Sequence, residues 1–264
     1  EAWVQALASR RTGSADPHAE NVWKTLTDSI YIAGSFSSQT PLTCARPCLD
    51  GYWHWTSIHN TRYDNATLIR AWKELLEVPS DRHTYYSDVV NLGTQALGNH
   101  FAVLRDQFTA AYRASDLAAA RSVAAQMLQL LEDLDALAAC DPQLSLKRRL
   151  DDASACGRTP EESAYYRRNA RTIISVWGES KTLLDYATRL WSGLVKSYYA
   201  PRWRMYIAEI LSCIEEGREY DQTVFFERLT EFEKSWAASD DPIEYNEPVC
   251  PVTLSREFIY RYGL

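Results

Sequence analysis

The sequence predicts an all-α fold, a bundle-like domain of roughly eight to nine helices with one long loop at about residues 34–64. Apolar residues recur at intervals of three and four along most of the chain, which is the period of an amphipathic helix. The two-residue alternation that marks β-strands does not persist for more than a few residues. Because 46% of the 264 residues are hydrophobic, the chain can bury a sizeable core, and we expect one domain over residues 1–264.

Start and stop signals mark the predicted helices of the first half. A helix over Ala2–Arg11 ends before Gly13, and Asp16 followed by Pro17 is typical of an N-cap and a first helical residue. Residues 34–64 then break the helical rhythm with glycine, proline and many hydroxyl side chains. Beyond this loop, apolar spacing predicts helices at residues 68–76, 85–112, 117–139 and 144–155.

The second half begins with the clearest helix start. Residues 159–162 (Thr-Pro-Glu-Glu) have the pattern of a capping box, so we expect a helix from there to Trp177, ending at Gly178. Another helix is predicted over Thr182–Tyr199, with a kink or break at the following residue because Pro201 has no amide hydrogen to donate. Helical spacing resumes at residues 203–211, 225–236 and 255–262.

Two features of the loop region bear on the cellular compartment. The chain has six cysteines, and Cys44 and Cys48 lie in a stretch rich in serine, threonine and proline. A local disulfide between them is expected if the compartment is oxidising, whereas a cytosolic helical protein would keep free thiols. The tripeptide Asn65-Ala66-Thr67 is an N-glycosylation sequon, so Asn65 is a candidate glycan site.

Composition and motifs exclude several classes of function. The net charge of −7 disfavours a nucleic-acid partner, and no apolar run approaches the roughly 20 residues that cross a bilayer. Dinucleotide, P-loop, nucleophile-elbow and HExxH motifs are missing, so no cofactor is predicted. The five histidines lie at no helical metal-ligand spacing, and no metal site is predicted.

Aromatic side chains are the remaining chemical signal. Nine tryptophans and sixteen tyrosines suit sugar binding, because flat rings pack on the apolar faces of pyranosides. Tryptophans at helical spacing are usually core residues, and this is the interpretation for Trp72, Trp191 and Trp203. Trp177 differs because it ends a helix beside Gly178, at a corner that faces outward.

The stretch VWGESKTLLDYATRLWSGLVKSYYAPRW, residues 176–203, is the most specific part of the chain. Its order and spacing resemble the signature of the C-terminal domain of α-N-acetylglucosaminidases, glycoside hydrolase family 89, which includes the lysosomal enzyme that degrades heparan sulfate. Similar stretches extend the resemblance over nearly the whole chain, although Thr188 stands where relatives often carry asparagine. The matching positions are Trp177-Gly178, Leu184-Asp185-Tyr186-Ala187, Gly193-Leu194-Val195, Tyr198-Tyr199 and Pro201-Arg202-Trp203.

This resemblance implies where the chemistry takes place. In the family, two catalytic glutamates lie on a (β/α)8 barrel upstream of the helical domain, and no residue of this chain matches either one. The helical domain packs on the barrel and closes one side of the pocket for a terminal α-linked N-acetylglucosamine. Carried over by position, the pocket residues of this chain are Trp177, Leu183 and Tyr186.

Three interpretations remain open at this level. The favoured one is the helical domain of a secreted or lysosomal (or vacuolar) glycosidase, whose partners are the barrel and the glycan, and the chain could also form a homo-oligomer. The second is a free-standing, non-catalytic carbohydrate-binding or interaction module, and the third is a cytosolic helical scaffold. Because the chain starts within a helical pattern, we expect it to be a processed product or part of a longer protein.

Overall fold

The protein is described here by a computed structural model that covers residues 2–31, 41–51, 61, 63–178 and 184–264. These residues form an all-α fold with ten α-helices and one isolated bridge between Ser145 and Ser192, which confirms the predicted class with one helix more than the upper count. The helices are α1 (Ala2–Thr12), α2 (Pro17–Thr25), α3 (Asn65–Leu75), α4 (His83–Arg113), α5 (Leu117–Ala139), α6 (Leu146–Ser154), α7 (Pro160–Ile174), α8 (Ala200–Glu216), α9 (Gln222–Ala238) and α10 (Pro251–Tyr262).

The two longest helices form the centre of the domain. A short connection at residues 114–116 joins α4 to α5, and the pair packs side by side. Helices α1, α3 and α10 lie against α4, whereas α8 lies against α5 and α9 contacts both α7 and α8. Gly93 in α4 permits close packing, because a Cβ there would lie 2.6 Å from the ring of the fully buried Trp72. Among the described helices, none is long and apolar enough to cross a bilayer.

Most helices begin where the sequence signals predict. The carboxylate of Asp16 accepts the Ala19 amide at 3.0 Å at the start of α2. At the start of α7, the hydroxyl of Thr159 accepts the Glu162 amide at 3.2 Å, while the Glu162 carboxylate accepts the Arg158 amide at 2.7 Å. The first bond confirms Thr159 as the predicted N-cap, whereas the reciprocal bond of Glu162 reaches the residue before the N-cap and not the Thr159 amide of a standard capping box.

The helix predicted over Thr182–Tyr199 is wrong for residues 184–193, and only its last residues, 194–199, are helical. The described residues 184–193 form turns and irregular backbone, with left-handed φ angles at Asp185, Thr188 and Gly193. Hydrogen bonds to distant groups replace the helical ones: the Ser192 amide donates to the Leu144 carbonyl at 2.7 Å, and the Asp135 carboxylate accepts the Gly193 amide at 2.7 Å. Apolar spacing alone cannot reveal such partners.

The chain also does not break near Ala200, where a kink or break was predicted. A π-helical turn at Val195–Tyr199 runs directly into α8, and the Ala200 amide donates to the Val195 carbonyl five residues earlier. Pro201 therefore lies in the first turn of α8, where the missing amide hydrogen causes the least disruption.

Part of the predicted loop is buried rather than superficial. Residues 32–40, 52–60 and 62 lie outside the described residues, but residues 41–48 are all buried and include a short 3-10 turn at Leu42–Cys44. The side chain of Trp203 in α8 holds this segment by donating to the Thr43 carbonyl at 3.1 Å. Trp72 and Trp203 are fully buried as predicted, whereas Trp191 is only half-buried and has the Arg149 guanidinium 5.8 Å from its ring centroid.

The predicted disulfide between Cys44 and Cys48 is not present in the structure, where both side chains are buried thiols. They contact different groups: Cys44 Sγ lies 4.0 Å from the Thr43 hydroxyl, and Cys48 Sγ donates to the Asp50 carbonyl at 3.1 Å. Burial raises the pKa of the Cys44 thiol to about 12. A thiol in this environment stays protonated and reacts slowly, so this pair gives no support for an oxidising compartment.

Candidate functional site

The corner after α7 presents two aromatic rings to solvent. Trp177 is 37% exposed and Tyr186 is 44% exposed, and their ring centroids are 4.5 Å apart with the planes inclined at 48°. Trp177 adopts a left-handed φ of 58°, and its amide donates to the Thr172 carbonyl at 2.7 Å. Leu183, the third predicted pocket residue, lies outside the described residues, so the structure brings together two of the three.

Asp185 anchors this corner from below. Its amide donates to the Ser175 carbonyl at 2.7 Å, which connects the loop to the end of α7. Its carboxylate oxygens accept from Nη1 of Arg202 at 3.0 and 2.8 Å. Both side chains are essentially inaccessible to solvent, so Tyr186 projects outward from a backbone whose neighbouring residue is held in the interior.

The ion pair extends into a buried cluster of four charged side chains, Asp185, Arg202, Glu233 and Arg46. Nη1 of Arg202 also donates to Glu233 Oε1 at 3.0 Å, and Arg46 donates to both oxygens of the same carboxylate. Two cations therefore balance two anions in the interior. Burial raises the pKa of the Asp185 carboxyl to about 6, although the Arg202 guanidinium opposes this rise. The charged carboxylates would be costly here without their guanidinium partners.

Arg202 is the central member of this cluster. Its Nη2 donates to the carbonyls of Cys44 and Ala45 at 2.9 and 2.8 Å. The neighbouring rings of Tyr198 and Tyr199 both contact the guanidinium, with centroids 4.6 and 5.1 Å from Cζ. One fully buried side chain thus joins α8, the loop beneath the corner and the segment at residues 41–48.

A cavity of about 730 Å³ lies beside the corner, between α7 and α9. Its lining combines apolar and hydrogen-bonding groups, which is typical of small-molecule sites. Gly178, next to Trp177, contributes to the wall, and Arg46 and Glu233 connect the cavity to the charged cluster. Tyr165, Val176 and Leu184 also line this cavity.

Comparison with known proteins assigns the chain to a family. Residues 3–260 match the family model described as the α-N-acetylglucosaminidase (NAGLU) C-terminal domain. The chain belongs to this family. Human α-N-acetylglucosaminidase is 27% identical over 269 residues, an alignment that covers 99% of this chain and 35% of the human protein. The chain therefore spans about a third of the length of this relative of the family.

Solved structures support the same fold. The family 89 glycoside hydrolase from Clostridium perfringens, in complex with PUGNAc, aligns with a TM-score of 0.86 and 19% identity over 99% of this chain and 31% of that chain. The same bacterial protein in complex with its substrate GlcNAc-α-1,4-galactose gives a TM-score of 0.87 over 98% of this chain. At this level of identity the alignments establish the fold of the family domain and not its ligand.

The charged cluster gives a physical reason for two charged positions of the family signature. Asp185 of the Leu-Asp-Tyr-Ala segment and Arg202 of the Pro-Arg-Trp segment pair with each other in the interior. Both residues are among the matched positions, but the sequence alone indicates no role for either. The available signal was an arginine directly before a core tryptophan, because a fully buried arginine requires acidic or carbonyl partners. Glu233 and Arg46 lie in separate segments of the chain and had no comparable signal.

The candidate glycan site at Asn65 lies at the start of a helix and contacts another side chain. Asn65 is the first residue of α3, and its Oδ1 accepts from Nδ2 of Asn99 at 2.9 Å; glycosylation of Asn65 stays a prediction. Among the described residues, no group of three histidine, cysteine, aspartate or glutamate side chains could hold a metal ion.

Replacing Thr188 with asparagine is expected to stabilise the family domain. Thr188 has a φ of 44°, in the left-handed region that β-branched residues avoid and asparagine tolerates. We expect the free energy of unfolding to rise by about 0.5–1 kcal/mol. Thermal unfolding should show a higher Tm. Thr223→Asn, on the exposed, right-handed first turn of α9, is the control and should give no increase; an equal or lower Tm for Thr188→Asn would contradict the strain argument.

Proposed function

We propose that this chain is the helical domain of an α-N-acetylglucosaminidase and forms one wall of the pocket that binds a terminal α-linked N-acetylglucosamine. The single observation that carries the proposal is the exposed pair of rings, Trp177 and Tyr186, on a buried ionic support within the family signature. Residues 1–264 would act as one domain beside a (β/α)8 catalytic barrel that this chain does not contain. The proposed compartment is secreted or lysosomal (vacuolar).

The chemistry of the corner suits this role. An exposed tryptophan ring offers a flat apolar surface for a pyranose face, and the hydroxyl of an adjacent tyrosine offers a hydrogen-bonding group. Both rings are exposed at the corner after α7, where a second domain can cover them. Residues that line a pocket in this way raise the reaction rate by orienting the sugar toward the catalytic groups.

Among the residues that the structure describes, the acidic side chains beneath the corner do not suit direct catalysis. Glycoside hydrolysis requires two carboxyl groups about 5 to 9 Å apart that flank the scissile bond. Asp185 and Glu233 are the carboxylates beneath the corner, and both are buried and bonded to guanidinium groups. The general acid and the nucleophile are therefore assigned to the barrel.

Turnover by the isolated chain tests this division of labour. Purified residues 1–264 should hydrolyse a chromogenic α-N-acetylglucosaminide no faster than buffer, whereas the protein that also contains the barrel should turn over. Hydrolysis by the chain alone would overturn the assignment of the catalytic acids. Binding of N-acetylglucosamine by the chain alone, with no active longer protein, would favour the free-standing binding module instead.

A further inference from the structure

Tyr186 directly follows Asp185, whose side chain is buried in the interior. Residues 184–193 are not helical, so the regular backbone ladder does not fix the direction of the corner. Asp185 instead makes three links at its backbone and side chain. Its amide donates to the Ser175 carbonyl, its carbonyl accepts the Thr188 amide at 3.0 Å, and its carboxylate binds Arg202.

We propose that Asp185, through its ion pair with Arg202, is a positioning residue that holds Trp177 and Tyr186 in the orientation that meets the sugar. The part concerning the sugar rests on the proposed function, whereas the part concerning the rings does not. The φ of 59° at Asp185 lies in the left-handed region, which is uncommon outside glycine although aspartate adopts it more readily than most residues.

Arg202 can hold this conformation because it is fully buried and bonded to several groups. The guanidinium contacts two adjacent tyrosine rings and donates to two backbone carbonyls of the segment at residues 41–48. Its planar set of donors fixes the direction from which the Asp185 carboxylate approaches. A displacement of Asp185 would therefore move Tyr186, whose ring contacts Trp177.

Fluorine NMR of the fluorotryptophan-labelled chain tests the positioning role. The nine tryptophans give separate probes, and Trp177→Phe identifies the Trp177 resonance. Asp185→Asn keeps the size of the side chain but removes its charge, so we expect the Trp177 resonance to shift and to sharpen toward that of a mobile ring. The resonance of Trp72, buried against α4, should stay in place.

A matched control separates positioning from general stability. Asp135 is also fully buried and accepts the amides of Gly193 and Lys196. Asp135→Asn should lower the Tm but leave the Trp177 resonance unmoved. An unmoved Trp177 resonance in folded Asp185→Asn, or an equal shift in both variants, would overturn the proposal.

Two further measurements complete the test. If Asp185→Asn does not fold, amide hydrogen exchange of the unmodified chain decides: the Asp185 amide should exchange as slowly as those of neighbouring helices, and rapid exchange would overturn the proposal. In the barrel-containing protein, Asp185→Asn should lower kcat/KM by at least about tenfold. If the resonance shifts as expected but Trp177→Ala leaves turnover unchanged, the positioning role holds and the proposed function fails.

Discussion

Replacing Arg202 with methionine is expected to lower the free energy of unfolding by about 3–5 kcal/mol. The substitution leaves the Asp185 carboxylate without its guanidinium partner and takes one of two such partners from Glu233, in a region with no solvent access. It also leaves two backbone carbonyls without their donor. Because a whole domain is stable by only about 5–15 kcal/mol, urea unfolding should show a large decrease in midpoint.

The same helix supplies the control for this experiment. Arg204 in α8 pairs with Glu132 of α5, but both side chains are substantially exposed, at 46% and 39%. Exposed ion pairs are screened by water, so Arg204→Met should cost at most about 1 kcal/mol. If the two variants unfold at similar urea concentrations, the buried cluster does not stabilise the fold in the way inferred from its geometry.

Trp177→Ala in the barrel-containing protein is expected to reduce kcat/KM by about one to three orders of magnitude while the Tm changes little. The ring is 37% exposed and lies outside the core, so its removal leaves no large internal cavity. Tyr186→Phe should likewise preserve the Tm and reduce turnover, because only the hydroxyl is lost. Steady-state kinetics and melting curves on the same preparations provide both quantities.

Trp203→Ala is the core control for these variants. Trp203 is fully buried, packs edge-on against Phe101 at a centroid distance of 4.8 Å and donates to the Thr43 carbonyl. Its removal should cost about 3–5 kcal/mol of folding stability. Early melting of Trp177→Ala, with normal kinetics of the fraction that stays folded, would place Trp177 in the core and refute the site assignment.

Sequence reasoning succeeded where local signals decide structure. The capping residues Asp16 and Thr159 and the apolar spacing of α4 and α5 each depend on neighbours within a few positions, and the structure confirms them. The segment from Leu184 to Gly193 failed because its backbone amides bond to groups outside a helical pattern: Ser192 to the Leu144 carbonyl and Gly193 to the Asp135 carboxylate. A single-sequence pattern contains no record of which distant carboxylate accepts an amide.

In the candidate site, too, sequence reasoning succeeded where a local signal was present and failed where partners are distant in the chain. Trp177 was distinguished from core tryptophans by its place at a helix end beside Gly178, which is a local signal. Trp191 was misassigned as core because its helical spacing came from a helix that does not form. The pairing of Arg202 with Glu233 joins residues of two helices, and only the folded structure brings them together.

The π-helical turn at Val195–Tyr199 has a consequence for how this region can change in evolution. A π-turn contains one residue more than an α-turn, and each residue rotates an α-helix by about 100°. Deleting one residue of this turn would therefore let α8 continue as a regular α-helix with Arg202 still directed at Asp185, because the wide turn holds the extra residue without rotating the helix that follows. Insertions or deletions in the regular first turn of α8, between Ala200 and Arg202, would instead rotate Arg202 by about 100° away from Asp185. Homologous chains should tolerate a change of length in the π-turn and reject one in the turn that follows it.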